Sequence, residues 1–166
     1  KKFESKSTKT EDFAGVTGNR KVPMMHNYGN YNYCEYGGFE AIELPYGNGD
    51  YVMTVMMSKS KDKLSPEVMS GIVSAMKKEY ISLGFPKFET ETDISEFPIS
   101  SVKFDSFRHV AKINVDEEGT EAAAVTVIGD TAIAPNAPRE LVFNQPFYYV
   151  ITQKSTGVIL FVGYYC

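Results

Sequence analysis

The segment at residues 115–127, VDEEGTEAAAVTV, constrains the fold of this chain more than any other stretch of its sequence. Three consecutive alanines favour a helix, but an alternating pattern typical of a strand leads into them, and β-branched residues follow them. Three consecutive acidic residues, a Gly-Thr pair and Glu121 precede the alanines. The segment therefore combines strand-like ends, a middle of small side chains and enough charge to stay in water.

Composition predicts one ordinary globular domain. The chain has 166 residues, of which 43% are apolar and 23% charged, enough for a hydrophobic core. The net charge is −4 and the 17 basic residues are scattered, so we expect no nucleic-acid groove. The Tyr-rich residues 27–38 could stack bases but have no interleaved Lys or Arg. No apolar run reaches about 18 residues, so we expect no membrane span, and the opening KKFESKSTK lacks the apolar stretch of a signal peptide.

Cysteine and histidine are too sparse to indicate metal or redox chemistry. Cys34 and Cys166 fit free thiols, one buried and one terminal, and a single disulfide between them is the alternative. His26 and His109 lie far apart without a ligand cluster nearby, so we expect no metal site and no cofactor. The sequence has neither a glycine-rich phosphate loop nor a nucleophile elbow, so we do not expect an enzyme.

The first third of the chain predicts strands. Short aromatic or apolar runs lie at residues 21–25, 31–36 and 39–45. A slip in the alternation of the last run suggests a bulge. Asn48-Gly49 predicts a hairpin turn into residues 51–57, which are apolar on both faces and hence covered on both sides.

One helix is predicted after this hairpin. Ser65 is a favourable N-cap, Pro66 suits the first helical position, and Glu67 suits the positive end of the helix. Apolar residues then recur at helical spacing as a packing stripe. The stripe consists of Met69, Ile72, Val73, Met76 and Tyr80.

The remaining strands surround a long irregular connection. Strands are predicted at residues 83–92, 110–115, 147–152 and 158–165, the last apolar enough to be central and buried. Residues 118–141 show neither a helical stripe nor a long alternating pattern. A connection of about twenty residues without secondary structure is uncommon in a compact domain unless it has a function. We therefore interpret residues 118–141 as a functional loop in a β-rich α+β chain.

At these residues the sequence resembles the serpin family. Residues 117–126, EEGTEAAAVT, resemble the hinge of the serpin reactive loop, and residues 141–165 resemble the strands that follow it. Residues 1–13, 21–25, 41–57 and 85–92 resemble earlier serpin segments, in order. The resemblance implies a single partial domain over residues 1–166. That domain is the C-terminal half of the fold, with mixed sheets B and C, part of sheet A and one clear helix.

The resemblance also implies a suicide inhibitor of serine proteases. In serpins a protease attacks the reactive loop as a substrate and forms an acyl-enzyme. The cleaved loop then inserts into the main sheet as a strand, which distorts the protease before water can release it. The hinge residues implied here are Glu117, Glu118, Gly119, Thr120, Glu121, Ala122, Ala123 and Ala124.

A segment that is first an exposed loop and later a strand inside a sheet would need the composition of residues 115–127. Alternate side chains of a strand share one face, and the alternate residues from 120 to 126 are all Thr or Ala. These small groups can enter between existing strands without overpacking. Glu121 would lie on the opposite, solvent-exposed face of the strand. Gly119 gives the backbone freedom that a hinge needs.

Family spacing from Gly119 places the attacked bond between Ile133 and Ala134, with the bond between Thr131 and Ala132 as runner-up. Counting back from Pro146 moves it closer to residue 135. Small or aliphatic residues at this place suit an elastase-like or subtilisin-like protease.

The sequence also departs from the family. Only residues 93–95 occupy the place of a family helix, and nothing in the sequence resembles the N-terminal half of a serpin. His109 matches a histidine that helps to hold the main sheet closed, but its usual partners belong to that N-terminal half. A merely packed, hydrogen-bonded histidine is the alternative.

Two functions therefore remain open. In the first, the chain is part of a larger serpin that inhibits a serine protease, and other polypeptide supplies the missing half. In the second, it is a half-serpin without inhibitory activity. It would then be a protease substrate or a protein-binding module that associates, with itself or others, through open strand edges. We expect a secreted protein, as most serpins are, with an intracellular location as the alternative.

Overall fold

The computed structural model describes residues 3–94, 109–117 and 137–166. These residues contain ten strands, one α-helix and one short 3-10 helix, at Ser5–Ser7. The strands and the α-helix are β1 (Lys9–Gly15), β2 (Gly18–Tyr36), β3 (Phe39–Tyr46), β4 (Tyr51–Ser58), α1 (Pro66–Ala75), β5 (Lys77–Pro86), β6 (Phe88–Ile94), β7 (His109–Val115), β8 (Arg139–Val142), β9 (Phe147–Gln153) and β10 (Ile159–Tyr165).

Eight strands form one mixed sheet, and β6 and β7 form a second, two-stranded sheet. The large sheet has the order β10-β9-β4-β3-β2-β5-β8, and β1 pairs with the first part of β2. Its strand pairs are antiparallel except for β5 and β8, which run parallel. The predicted β-rich α+β class with one helix and mixed sheets is confirmed.

The strand β2 is continuous where the sequence predicted two separate strands, at residues 21–25 and 31–36. The polar residues 26–30 interrupt the apolar pattern, so the sequence predicted a break there. In the structure, ten consecutive backbone pairs with β5, from Met24 to Tyr33, keep this stretch extended. Its two ends pair on the other side with β1 and with β3. Long-range pairing therefore overrides the local polar pattern.

Coverage on both faces explains the apolar strands at the centre of the sheet. Residues 52–58 of β4 are all buried, which confirms the predicted cover for residues 52–57, whereas Tyr51 is 42% exposed. The bulge predicted in β3 is wrong, because β3 pairs with β4 in unbroken register from Phe39 to Tyr46. Ala41 and Ile42 are adjacent and both fully buried. Alternation fails here because both faces are covered.

Turns and strand ends differ from the prediction in detail. The hairpin at Asn48 is confirmed, but its turn has four residues, and the Gly49 amide donates to the Tyr46 carbonyl at 2.8 Å. Positive φ angles fall on Gly47 and Gly49. The predicted strand at residues 83–92 is two strands in different sheets, and β10 ends the large sheet instead of lying at its centre.

An aromatic cluster joins the two sheets. Its members are Phe85, Phe88, Phe143, Phe147, Tyr149 and Tyr165. The Phe88 ring of β6 stacks on the Tyr165 ring of β10 with 4.6 Å between centroids. The Tyr149 hydroxyl forms a 3.0 Å hydrogen bond with the Thr90 hydroxyl of β6. The small sheet is therefore packed on the large one through aromatic contacts and a hydrogen bond.

The helix α1 covers the opposite face of the large sheet. It begins as predicted, because the Val68 amide donates to the Ser65 hydroxyl at 3.3 Å and Pro66 follows. Ile72 is fully buried against the sheet. The helix ends at Ala75, so Tyr80 lies in β5 instead of on the predicted stripe. Val73 is likewise 52% exposed rather than packed.

Two neighbouring residues of α1 test this packing. Replacing Ile72 by Ala should lower the free energy of unfolding by about 2 to 5 kcal/mol, because it empties a fully buried site. The control Val73→Ala should change it by less than about 0.5 kcal/mol, because that side chain is half exposed. Urea unfolding of both variants measures the difference; equal losses would contradict the observed orientation of α1.

Candidate functional site

The structure describes only part of the predicted site. Glu117 lies within the described residues. His109 is the first residue of β7 and pairs through its backbone with Ile94, and its role stays a prediction. The other hinge residues and both candidate bonds lie outside the described residues. They are Glu118, Gly119, Thr120, Glu121, Ala122, Ala123, Ala124, Thr131, Ala132, Ile133 and Ala134.

Glu117 is held by three groups from two distant parts of the chain. The Lys87 ammonium, at the crossing from β5 to β6, donates to its Oε2 at 2.8 Å. The Thr8 hydroxyl donates to its Oε1 at 2.9 Å, and the Phe3 amide donates to its backbone carbonyl at 3.1 Å. The chain therefore leaves β7 from a fixed point, directly before residues 118–136, which we call the loop segment.

Electrostatics favours the charged form of Glu117. The Lys87 ammonium, the Glu117 backbone amide and the Thr8 hydroxyl lower the pKa of the carboxyl from its ordinary 4.5 to about 2. The side chain is 15% exposed. The Lys87 amide also donates to the Pro23 carbonyl at 2.8 Å, which fixes the lysine backbone on β2.

The strand β7, which precedes Glu117, has an available edge. Within the described part of the chain, β7 pairs with β6 alone. That pairing runs without interruption from Ile94 and His109 to Phe88 and Val115. The far edge of β7 is therefore free, among these residues, to accept a further strand.

Arg139 holds the other end of the loop segment. It is the first residue of β8, and its guanidinium donates to Glu79 Oε1 at 2.6 Å and to Glu35 Oε1 at 2.7 Å. The same group lies 5.0 Å from the centroid of the Tyr33 ring. The hydrogen bond that Arg139 donates to Glu79 and the neighbouring negative charges raise the pKa of Arg139. β8 is a four-residue edge strand, so these contacts add to its four backbone pairs with β5 and to the burial of Leu141.

Arg139 is a residue that the sequence analysis missed. Nothing local marks it, because its partners are 60 and 104 residues away. Lys87 and Thr8 were missed for the same reason. Only the topology of the two sheets brings them to the ends of the loop segment.

The cysteines and possible metal ligands among the described residues form no further site. Both cysteines are free, and Cys34 is buried with its thiol directed at the Ile72 carbonyl, 3.5 Å away. Burial, with a smaller contribution from Glu43, raises the pKa of Cys34. No group of three or more metal-ligating side chains occurs in this part of the chain. No described helix is long and apolar enough to span a membrane.

Comparison with known proteins decides the family. The sequence profile of the family "Serpin (serine protease inhibitor)" matches residues 1–99 and 92–166. The chain belongs to the serpin family. The two matched stretches overlap at residues 92–99, the place where the sequence analysis expects a shortened family helix. Membership supports a protease-inhibitor type of function in general, and serpins are generally not enzymes.

Relatives come from several branches of life. An uncharacterized serpin-like protein of Thermococcus kodakarensis is 29% identical over 98% of this chain and 45% of its own length. Serpin-Z1 of Arabidopsis thaliana is 30% identical over 97% of this chain and 48% of its own length. The chain thus spans about half the length of the relatives it matches.

Solved serpin structures share the fold. The native state of Tengpin, a thermophilic serpin, matches 99% of this chain with a TM-score of 0.75 and 22% identity. SRPN18 from Anopheles gambiae matches 99% with a TM-score of 0.77 and 18% identity. In both cases the match covers 51% of the solved chain.

A double-mutant cycle tests the Glu117 contact. With Glu117→Gln and Lys87→Met, we expect a coupling of about 1 kcal/mol in unfolding free energy at pH 7, because the ion pair is partly shielded. The exposed pair of Asp12 and Lys21 is the control, with Asp12→Asn and Lys21→Met coupling by about 0.3 kcal/mol or less.

The lowered pKa of Glu117 determines how the stability of the chain depends on pH. The folded pKa of Glu117 is below its ordinary value, so its stabilisation is present above about pH 4.5 and is lost as the pH falls toward 2. The stability gap between the unmodified chain and Glu117→Gln should therefore narrow from pH 5 to pH 3. A gap that widens or stays constant would contradict the assigned contact.

Hydrogen exchange tests the Arg139 contact. Arg139→Ala should speed exchange of the β8 amides about tenfold, because two charge-assisted hydrogen bonds are lost. Arg139→Lys should give an intermediate rate. The control Arg20→Ala removes a guanidinium that stacks on Phe13 and should leave β8 unchanged. Equal protection in all three variants would show that Arg139 does not hold the strand.

Proposed function

We propose that this chain carries the protease-recognition half of a serpin inhibitor, in which the loop segment is the bait for a serine protease. The observation that carries the proposal is the anchoring of both ends of the segment. Glu117 holds its start at the end of β7 in the small sheet, and Arg139 holds its end at β8 in the large sheet. Cleavage between two such anchors separates chain parts that belong to different sheets.

The proposed reaction begins as ordinary proteolysis. The protease serine attacks the carbonyl carbon of Ile133, and the peptide bond to Ala134 breaks. Ile133 becomes the acyl group on the serine, and Ala134 takes the proton and leaves as a free amine. The Ala134 side stays attached to β8 through Arg139, while the Ile133 side stays attached to β7 through Glu117.

Insertion would then follow along β7. A segment that continues from β7 can fold back and pair with the free edge of that strand, antiparallel to it. Residues 118–133, extended at about 3.3 Å per residue, would reach roughly 50 Å, enough to move an attached protease across the domain. The small alternate residues from 120 to 126 would face the interior. The described residues supply one side of such a slot, and we assign the other side to the half that the relatives have in addition.

The same reasoning gives the partners and location. Small or aliphatic residues around 131–134 favour an elastase-like or subtilisin-like protease over a trypsin-like one. We place the protein outside the cell, where most serpins act.

The alternative is a half-serpin that is cleaved without trapping the protease. The observation that favours it is the available edge of β10, which among the described residues pairs with β9 alone. Without a strand on the other side of the insertion site, water would hydrolyse the acyl-enzyme as in ordinary proteolysis. The chain would then be a protease substrate or a binding module.

Incubation of the protein as it is natively expressed with pancreatic elastase distinguishes the two functions. An SDS-stable complex on a denaturing gel supports the inhibitor, and complete cleavage without a complex supports the alternative. Mass spectrometry of the released peptide should place the cut between residues 131 and 135. Cuts solely outside that window would contradict the assigned bond.

A pair of hinge variants tests insertion itself. Ala122→Arg puts a charge on the face that would turn inward, so the complex should fall at least tenfold while cleavage continues. Ala123→Arg puts the same charge on the opposite face and should retain the complex. Equal loss in both variants would contradict insertion as a strand.

A further inference from the structure

The proposed bond lies much closer along the chain to one anchor than to the other. Five residues, 134–138, separate it from the anchor at Arg139, whereas 16 residues, 118–133, separate it from the anchor at Glu117. Five residues span at most about 18 Å even when fully extended. Two of the five are prolines, a residue type that limits the conformations open to a chain. The leaving-group side of the bond is therefore the side with the short tether.

Arg139 is oriented by side chains from three strands of the large sheet. Its guanidinium contacts Glu79 of β5 and Glu35 of β2. The Tyr33 hydroxyl lies 2.9 Å from Glu35 Oε1 and 3.1 Å from Oε1 of Glu40 in β3. The hydrogen bond from Tyr33, with the charge of Arg139, lowers the pKa of Glu35. Tyr33 and Glu40 are both buried. The direction of the guanidinium is thus determined by a network that reaches the interior, and not by a single surface ion pair.

The strand behind Arg139 is held by burial. Leu141 and Phe143 are both buried in the main core. The four residues of β8 pair with β5, and the Phe143 amide continues this pairing by donating to the Gly84 carbonyl at 2.9 Å. None of these contacts involves a residue that precedes Arg139. Cleavage within the loop segment therefore breaks none of them, and β8 stays attached after the bond is cut.

We propose that the β8 anchor retains the leaving amine beside the acyl-enzyme, so that the attacked bond can be formed again. In this proposal Arg139 is a positioning residue, because it fixes the origin of the short tether. A short tether gives its free end an effective concentration in the millimolar range. The proposal rests on the proposed bait function, but it requires neither insertion of the loop nor trapping of the protease.

The reverse reaction is balanced without any further reactant. The Ala134 amine nitrogen attacks the carbonyl carbon of Ile133 in its ester with the protease serine. The carbon–nitrogen bond forms, the bond from carbon to the serine oxygen breaks, and the proton that the nitrogen loses passes to that oxygen through the protease's own base. Water competes for the same carbon, and its attack consumes the bait. An attack that is not followed by insertion would thus restore the intact loop.

An added amine tests whether the leaving amine returns. The natively expressed protein would carry Ala122→Arg, in which insertion is expected to fail, and would be incubated with pancreatic elastase and free alaninamide. Alaninamide takes the acyl group and prevents the bond from forming again. At millimolar concentrations, comparable to that of a tethered amine, it should accelerate net cleavage at least about twofold. A leaving amine that diffuses away predicts no acceleration, because the first attack then limits the rate.

The length of the tether provides the matched variant. An insertion of ten Gly and Ser residues between Pro138 and Arg139 should lower the effective concentration about fivefold, since it falls with the −3/2 power of length. Cleavage without alaninamide should become up to about fivefold faster, and the response to alaninamide should shrink. The same insertion between Thr156 and Gly157, in the exposed turn after β9, should change neither quantity. Circular dichroism checks that both insertion variants are folded.

The outcomes separate this proposal from the bait function. Cuts between residues 131 and 135 that alaninamide does not accelerate would overturn the retained amine and leave the bait function intact. An acceleration that is equally large with the long tether would show that the β8 anchor does not retain the amine. The absence of any cut between residues 131 and 135 would instead contradict the bait function itself.

Discussion

The carboxylate of Glu117 fixes the point at which the chain leaves the small sheet. Its oxygens bind Lys87 and Thr8, and its carbonyl binds the Phe3 amide. These contacts join the N-terminal segment, the crossing between the two sheets and the end of β7. A charged carboxylate with several donors strongly favours one backbone path, so the point at which the chain leaves the small sheet is set by chemistry and not only by packing.

The Arg139 contact complements this arrangement at the other end of the loop segment. Arg139 meets two carboxylates and an aromatic face of the large sheet. The aromatic cluster of Phe85, Phe88 and Phe147 keeps the two sheets packed against each other. Ionic contacts thus fix the residues that flank one segment on two different sheets. The apolar core determines how those two sheets pack against each other.

Sequence reasoning predicted the elements that local chemistry defines. The N-cap at Ser65, the doubly covered strand β4 and the turn after Tyr46 all follow from neighbouring residues. It missed β1 and β8, whose sequences KTEDFAG and RELV are polar and short. These become strands only because β2 and β5 offer them edges. Likewise, Glu117 was predicted as a hinge residue, but Lys87 is 30 residues away and could be identified only from the topology.

The state of the Glu117 carboxyl is the most direct test of this account. Carboxyl carbon chemical shifts followed by NMR from pH 7 downward report its titration in the folded chain. The contacts with Lys87 and Thr8 predict a midpoint of about 2. A midpoint near the ordinary value of 4.5 would show that the carboxylate is not held, and that the loop segment does not start from a fixed point.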